Sequence, residues 1–352
     1  TMVPPDGPTT AATAGQPALA EPRVAVVILN WCRPVETMAC LRSVMRLDHG
    51  NIDVVVCDNA SGDGSLESIL ADAAEALPGI NAARQARGFA PFALQQTPSY
   101  ENAASGQRLT IVPTGRNGGY AFGNNVGIRI ALQDPRIEHV WVLNNDTQVD
   151  PASLSHLVTL MTQRPDVGIC GAKVLYASEN SRVQTLGGGH FMPWRGRSIQ
   201  IGEGLAADAP VDAANVEAQL SYVNGAAAFV RRAVIDKVGY MNEGYFLYWE
   251  EIDWAMRMRT HGQYRLGFCP DARVYHQVGS STGSSDHDIP SLGSTYWMTR
   301  SKFRFLRLHR PLTLLTAYPL LFRTVLREIR AGRGPRGRIM LRAAFGLSMP
   351  SK

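Results

Sequence analysis

Four short apolar runs, each closing on polar side chains, constrain this chain more than any other feature. They are Val24-Ala25-Val26-Val27-Ile28-Leu29-Asn30, Ile52-Asp53-Val54-Val55-Val56-Cys57-Asp58, Arg108-Leu109-Thr110-Ile111-Val112-Pro113 and His139-Val140-Trp141-Val142-Leu143-Asn144. Runs this short, rich in β-branched residues and apolar at consecutive positions, are the mark of strands buried on both faces. Between them the pattern turns helical: from Pro34 to about Leu47, in a short helix after the turn Asn59-Ala60-Ser61-Gly62-Asp63-Gly64, and from Tyr120 to Leu132. A further helix follows Asp150-Pro151, an N-cap with proline at the first helical position. Such alternation predicts an α/β fold, a mostly parallel central sheet flanked by helices. Ligands of such sheets bind at the carboxyl ends of the strands. Asn30, Asp58-Asn59, Thr114 to Asn117 and Asn144-Asn145-Asp146 are therefore expected on one edge, forming a site.

The 352 residues, 45% hydrophobic, suit one large domain with or without an appendage. Residues 1–22, rich in Pro, Ala, Thr and Gly and with neither a basic start nor an apolar core, read as a disordered lead rather than a signal peptide. Residues 23–285 read as the main domain and 286–352 as a basic amphipathic helical tail. Within the domain, 73–107 is too long for an ordinary connection and implies a helix or a flap over the cleft. Residues 167–230 are mixed, and a helix from about Trp249 to His261 precedes two further strands, YRLGFC and ARVYH. The five cysteines form no CxxC pair, which points to a reducing compartment and away from a structural zinc site. From Arg300 to Lys352 there are thirteen Lys or Arg against Glu328 alone, so the +5 net charge conceals an acidic body with a basic tail.

Several residues carry chemistry by type and position. Asp58 ends its strand where nucleotide folds hold a ribose or base, although DNASGDG, with Ser61 and Asp63, is also ordinary turn chemistry. GRNGGYAFGNN (115–125) offers glycines and backbone amides near a helix start, a cradle for an anion. No GxGxxG follows the first strand, which disfavours a nicotinamide-dependent oxidoreductase, and no basic glycine-rich loop stands there as a nucleotidyltransferase would need. Asp146 can supply one oxygen to a hard cation such as Mg²⁺, which needs few protein ligands when it also binds substrate phosphates. In GYFLYWEEIDWAMRMRTHG (244–262), Glu250, Glu251 and Asp253 crowd a helix start. The macrodipole and an Asp253–Arg257 pair explain them structurally; a general base projecting into the cleft explains them functionally. Tyr245, Phe246, Tyr248, Trp249 and Trp254 add aromatic faces on which sugar rings are held, and His276 ends a strand on the cleft side as a candidate metal ligand.

In combination, VVILNW, CDNASGDGS, GRNGGYAFGNN, VLNNDTQVDP, GAAAFVRRAVIDKVG, FLYWEEIDWAMR and RVYHQ resemble the family 2 glycosyltransferases of GT-A fold, in their bacterial rhamnosyltransferase-like branch, over about residues 23–280. The resemblance implies that Asn30, Asp58, Asn59, Asn117, Gly119 and Asn124 meet the donor nucleotide, with Ser61, Asp63, Asn144 and Asn145 beside them. It sets Asn144-Asn145-Asp146 at the DxD metal motif, with Asn144 departing from the first Asp, and His276 at a metal-side histidine. Glu251 stands at the base position, with Glu250 and Asp253 as alternatives. The implied activity is inverting, Mg²⁺- or Mn²⁺-dependent transfer of rhamnose from dTDP-rhamnose, or of a UDP-hexose sugar, to a glycan in cell-surface polysaccharide assembly. A non-catalytic sugar-nucleotide-binding protein is the competing reading, supported by Asn144.

In the tail, Arg300, Arg304 and Arg307, then Arg323, Arg327 and Arg330, recur at i, i+4, i+7, with the uncharged stretch Pro311 to Phe322 between them. That stretch is too short, and broken by Pro319, to span a bilayer. The tail reads as an interfacial segment for anionic lipid, placing the protein in the cytoplasm at the inner face of the plasma membrane, with a polyprenyl-diphosphate-linked glycan as acceptor. Packing on the domain or a homodimer contact would use the same pattern. No nucleic-acid-binding motif accompanies the charge.

Overall fold

The computed structural model describes residues 21–96, 106–178, 182–261, 263–277 and 290–349. The expected lead, apart from Glu21 and Pro22, and the 285/286 boundary lie outside them. The first half of the chain runs β1 (Arg23–Asn30), α1 (Pro34–Val44), β2 (Ile52–Asp58), α2 (Ser65–Ala86), β3 (Phe92–Gln95), β4 (Gln107–Pro113), α3 (Tyr120–Ala131), β5 (Ile137–Asn144), β6 (Thr147–Val149) and α4 (Ser153–Gln163). Then follow β7 (Val167–Tyr176), β8 (Val183–Leu186), β9 (Gly188–Met192), β10 (Arg197–Gln200), α5 (Ala213–Gln219), β11 (Tyr222–Val223), β12 (Ala227–Arg231), α6 (Arg232–Val238), α7 (Glu250–His261) and β13 (Arg265–His276). Helices α8 (Leu292–His309), α9 (Leu314–Arg330) and α10 (Gly334–Ala344) close the chain.

The main sheet runs β3-β4-β2-β1-β5-β12-β7-β13-β6, with β8 paired to β7. Strands β3, β4, β2, β1 and β5 are mutually parallel. Because strand side chains alternate, Ala25, Val27 and Leu29 pack under α3 while Val24, Val26 and Ile28 pack toward α1 and α4. Both faces are covered, which is why the middles of these strands are apolar at consecutive positions. Gly127 lets α3 approach the sheet, since a Cβ there would stand 2.6 Å from Val27. The register aligns Asn30 with Asp58, Asp58 with Pro113 and Leu29 with Asn144. The four polar strand ends therefore share one edge. At the opposite end, Arg23 and Arg108 clamp Asp53 at 2.8 and 2.5 Å.

The second half departs from a parallel pattern. Strand β12 is antiparallel to β5 and β7, β6 is antiparallel to β13, and β9, β10 and β11 form a separate small sheet. YRLGFC and ARVYH are one strand, β13, with a register shift between Cys269 and Arg273. The helix after β2 is long rather than short: α2 runs 22 residues through Pro78 and takes up the start of the 73–107 stretch, which continues into β3. Residues 97–105 of that stretch lie outside the described ones. Asp150 does not cap α4; its Oδ1 accepts from the Ala152 amide at 3.1 Å in the preceding turn, and the helix begins at Ser153.

The tail joins the main core. Phe305 of α8 packs on Trp249 and Phe191, Trp297 stacks on Phe246, and Ser301 Oγ donates to the Leu247 carbonyl at 2.8 Å. Of the three arginines expected on one basic face of α8, the half-buried Arg304 lies over Tyr245 and Arg300 over Tyr296, while Arg307 stays exposed and donates to Tyr318 Oη at 3.0 Å.

Candidate active site

The carboxyl edge of the parallel strands opens into a cavity of about 460 Å³. Its floor is Asn144, Asn145 and Asp146 at the tip of β5; one wall is Asn59, Asn117, Gly119 and Tyr120; the other is Phe246 to Tyr248 with Glu250 and Glu251. His276 and the loop Asn224-Gly225-Ala226 complete it.

The first of these walls is built by asparagine. Asn59 Nδ2 donates to Asn117 Oδ1 at 3.1 Å and to the Gly119 carbonyl at 3.3 Å. Asn117 Oδ1 in turn accepts from the Gly119 amide at 3.1 Å, so the loop before α3 is folded onto the end of β2. Gly119, at φ +88°, meets the acidic motif's loop directly: a Cβ would fall 2.1 Å from the Phe246 carbonyl oxygen. Next to it, the Tyr120 amide donates to that oxygen at 2.7 Å. Only glycine fits such an approach in the left-handed region.

The acidic motif is set by strain. Tyr248 and Trp249 both adopt positive φ, 68° and 74°, immediately before α7. Each costs on the order of 1–2 kcal/mol for a residue with a Cβ. The turn they make brings Glu250 and Glu251 to the helix start against the cavity; a Cβ on Gly225 would lie 4.0 Å from Glu251 Cδ. Burial pushes the Glu251 carboxyl up to about 7. Burial and then the neighbouring Glu251 carboxylate hold the Glu250 carboxyl well above the ordinary range. Its Oε2 is buried and has no hydrogen-bond partner among the described residues. Tyr120 lies in the same field: burial, then Glu250, Glu251 and Asp146, raise its phenol, which donates to the Gly225 carbonyl at 2.7 Å.

Opposite, His276 Nε2 stands 3.2 Å from Asp146 Oδ1, while Nδ1 is 2.9 Å from Gln184 Oε1. Donation from Nδ1–H to Gln184 leaves the Nε2 lone pair facing a carboxylate, an arrangement completed by a cation between them. The pair suits a divalent metal that takes most of its ligands from substrate and water. Among the described residues no group of three or more His, Cys, Asp or Glu side chains forms a fuller metal site.

Other expected site residues have different positions. Asn30 and Asp58 are buried in a loop-fixing network rather than lining the cavity: Asn30 Nδ2 donates to Asp58 Oδ1 at 2.7 Å, and Ser61 Oγ donates to the same oxygen at 2.6 Å. Through Ser61 Oγ, which accepts from the Cys32 amide at 2.8 Å, this network holds the turn carrying Trp31 at the cavity mouth. Asp63 turns back to Ser65, and Asn124 is buried within α3, donating to the Tyr120 carbonyl. Asp253 also faces away from the cavity. It is bound by Arg257, His309 and Tyr245 and acts structurally. Trp254 and Trp249 are buried in the core, Trp254 donating to the Gly239 carbonyl and Trp249 packing on Phe191 and Phe305. Aromatic character alone does not separate a sugar platform from a core ring. Of the five aromatic residues expected there, Phe246 and Tyr248 line the cavity, joined by Trp31, while Tyr245 is buried like the two tryptophans. Asn224, Gly225 and Ala226 escape sequence reasoning because nothing in a short polar loop says that folding will bring it beside residue 251.

Curated relatives resemble this chain in part. A low-salt glycan biosynthesis hexosyltransferase, Agl10, of Haloferax volcanii is 29% identical over 178 residues, 48% of this chain and 52% of that protein. An N-acetylglucosaminyl-diphospho-decaprenol L-rhamnosyltransferase of Mycobacterium tuberculosis is 27% identical over 198 residues, 50% of this chain and 61% of that one. The matches thus span less than two thirds of either relative. Among solved structures, the mannosyltransferase PcManGT from Pyrobaculum calidifontis, in complex with GDP-Man and Mn²⁺, matches at a TM-score of 0.50 with 16% identity, over 94% of this chain and 88% of that one. The fold is GT-A, as its strand order and motif sequence imply. Residues 22–288 match the glycosyltransferase-like family 2 and make up most of the chain, which therefore belongs to that family.

Proposed function

We propose that this chain is an inverting, divalent-metal-dependent glycosyltransferase that moves rhamnose from dTDP-rhamnose to a hydroxyl of a lipid-linked glycan. The observation that carries the reading is a division of labour in one cavity: Glu251, poised near neutrality, on one side and the Asp146–His276 pair on the other.

Glu251 accepts the proton of the acceptor hydroxyl as that oxygen attacks the anomeric carbon. Glu250 beside it, its carboxyl pushed up by burial and by Glu251, favours the proton more than an ordinary carboxylate does, which suits Glu251 as the base. Asn59, Asn117 and the Gly119 loop orient the donor, and Asn144 and Asn145 border its diphosphate. Asp146 and His276 would hold the metal, whose chemistry when bound is to neutralise charge on the departing nucleoside diphosphate. Phe246, Tyr248 and Trp31 give the sugar and acceptor apolar faces. A single base with no nucleophile dedicated to a covalent intermediate implies one displacement, hence inversion.

The sugar and acceptor classes draw support from the mycobacterial relative's name and from the motif resemblance. The haloarchaeal relative, named a hexosyltransferase, keeps UDP-hexoses in the test. Donor binding and turnover are measured across dTDP- and UDP-sugars, with and without Mg²⁺ or Mn²⁺, on the intact protein and on Asp146→Ala. Metal-dependent turnover of dTDP-rhamnose, lost in the variant, is expected. Turnover confined to a UDP-sugar would replace the donor and keep the mechanism. Binding of no donor with any metal would overturn the catalytic reading and leave a non-catalytic assembly role.

A further inference from the structure

Helix α9 divides its circumference into three strips. Ala317, Leu321, Val325 and Glu328 face the protein. Leu315, Phe322, Leu326 and Ile329, spaced at i, i+7, i+11 and i+14, face outward and are 75%, 48%, 52% and 52% exposed. Beside them Arg323, Arg327 and Arg330 form a parallel exposed row. With Leu320 and Thr324 these arginines line a shallow concavity of about 450 Å³.

A row of large apolar side chains left in water beside a row of cations needs a partner with an oily interior and an anionic surface. The sole acid from Arg300 to Lys352, Glu328, is turned inward and holds Arg333 at 2.6 Å, so it does not offset the exposed arginines. Trp194, 58% exposed, extends the surface at the other end, its carbonyl accepting from Thr316 Oγ1 at 2.7 Å. Tryptophan suits the boundary between headgroups and acyl chains. No described helix is long and apolar enough to cross a membrane.

We propose that α9 is a membrane-docking helix that lies in the plane of an anionic bilayer, its Leu315–Ile329 strip among the upper acyl chains and Arg323, Arg327 and Arg330 on the lipid phosphates. A second copy of the chain fits less well, because an antiparallel two-fold contact through this strip would bring the two arginine rows together. Arg300, Arg304 and Arg307 belong to α8, outside this strip, and take no part. This surface goes beyond the proposed reaction and does not depend on it.

The test is cosedimentation of the full chain with vesicles of pure phosphatidylcholine or of phosphatidylcholine with phosphatidylglycerol. The intact protein should bind the anionic vesicles and be released by salt. The triple variant Arg323→Ala, Arg327→Ala, Arg330→Ala should bind about a hundredfold more weakly. Phe322→Ser with Leu326→Ser and Ile329→Ser should lose binding while keeping the intact protein's melting profile and donor turnover. Absence of binding to anionic vesicles, or binding unchanged in both variants, would overturn the proposal. So would a vesicle-free dimer that the serine variant converts to monomer, since the strip would then belong to a second copy.

Discussion

His309 Nε2 donates to Asp253 Oδ1 across 2.7 Å, joining the last turn of α8 to the first turn of α7. The same oxygen accepts from Tyr245 at 3.2 Å, and the other carboxylate oxygen is held by Arg257 at 2.7 Å. The tail helix thus fixes the helix that presents Glu250 and Glu251. Asp253, one of the two alternatives to Glu251 as the base, is in space a buried anchor.

Replacing Asp253 by Ala strands Arg257 in a largely buried site and should cost about 3–5 kcal/mol of stability. His309→Ala removes one charge-assisted bond and should cost roughly 1–3 kcal/mol. Thermal and urea unfolding measure both. If Asp253→Ala melted like the intact protein while losing all transfer, Asp253 would be chemical rather than structural.

Glu251 predicts a pH dependence of opposite sign for activity and stability. A carboxyl pushed up to about 7 is a competent base only when ionised, so kcat/KM should fall tenfold per pH unit below about 7. Its folded pKa lies above the unfolded value near 4.5, so the folded state favours the proton. The stability this gives is fully present below about 4.5 and is lost as pH rises through about 7. Glu251→Gln should therefore slow transfer by about 10²–10⁴ yet stabilise the fold at pH 8, by roughly 3 kcal/mol, with no gain at pH 4.

Gly119→Ala places a Cβ against the Phe246 carbonyl at a φ that alanine resists. The expected cost is roughly 1–3 kcal/mol, together with a raised KM for the donor, because Asn117, Gly119 and Tyr120 move as one loop. Melting and donor titration of the variant decide it; an unchanged KM would detach this loop from donor binding.

Asn144 stands where the resemblance expects an acid, and its Oδ1 is buried with no hydrogen-bond partner among the described residues. Asn144→Asp should add a second carboxylate beside Asp146, destabilising the protein in chelator and tightening Mn²⁺ binding about tenfold. Calorimetric titration of Mn²⁺ into both proteins reads this directly. Equal affinities would mean that the tip of β5 is not the cation site.

What the sequence made legible follows from how local each feature is. Strands β1, β2, β4 and β5 announce themselves because burial on both faces leaves runs of consecutive apolar positions within them, and their ends then locate the cavity floor. The antiparallel addition of β12 and the single run of β13 depend on pairings between distant segments, which periodicity does not encode. Helix α2 was concealed by Pro78-Gly79, which reads as a break but is carried inside the helix. At the site, Glu251, Asp146 and His276 were legible as residue types at strand and helix ends. The structural duty of Asp253 was not, because its decisive partner, His309, is 56 residues away. Trp254 misled for a simpler reason: a tryptophan that packs a core and one that holds a sugar have the same sequence signature.

The most direct test of the central claim is single-turnover transfer by Glu251→Gln and the intact protein, with donor affinity measured on the same samples. The account predicts unchanged donor affinity and a transfer rate reduced by about 10²–10⁴. Transfer within a few-fold of the intact protein, at equal donor affinity, would show that Glu251 is not the base and contradict the proposed division of the cavity.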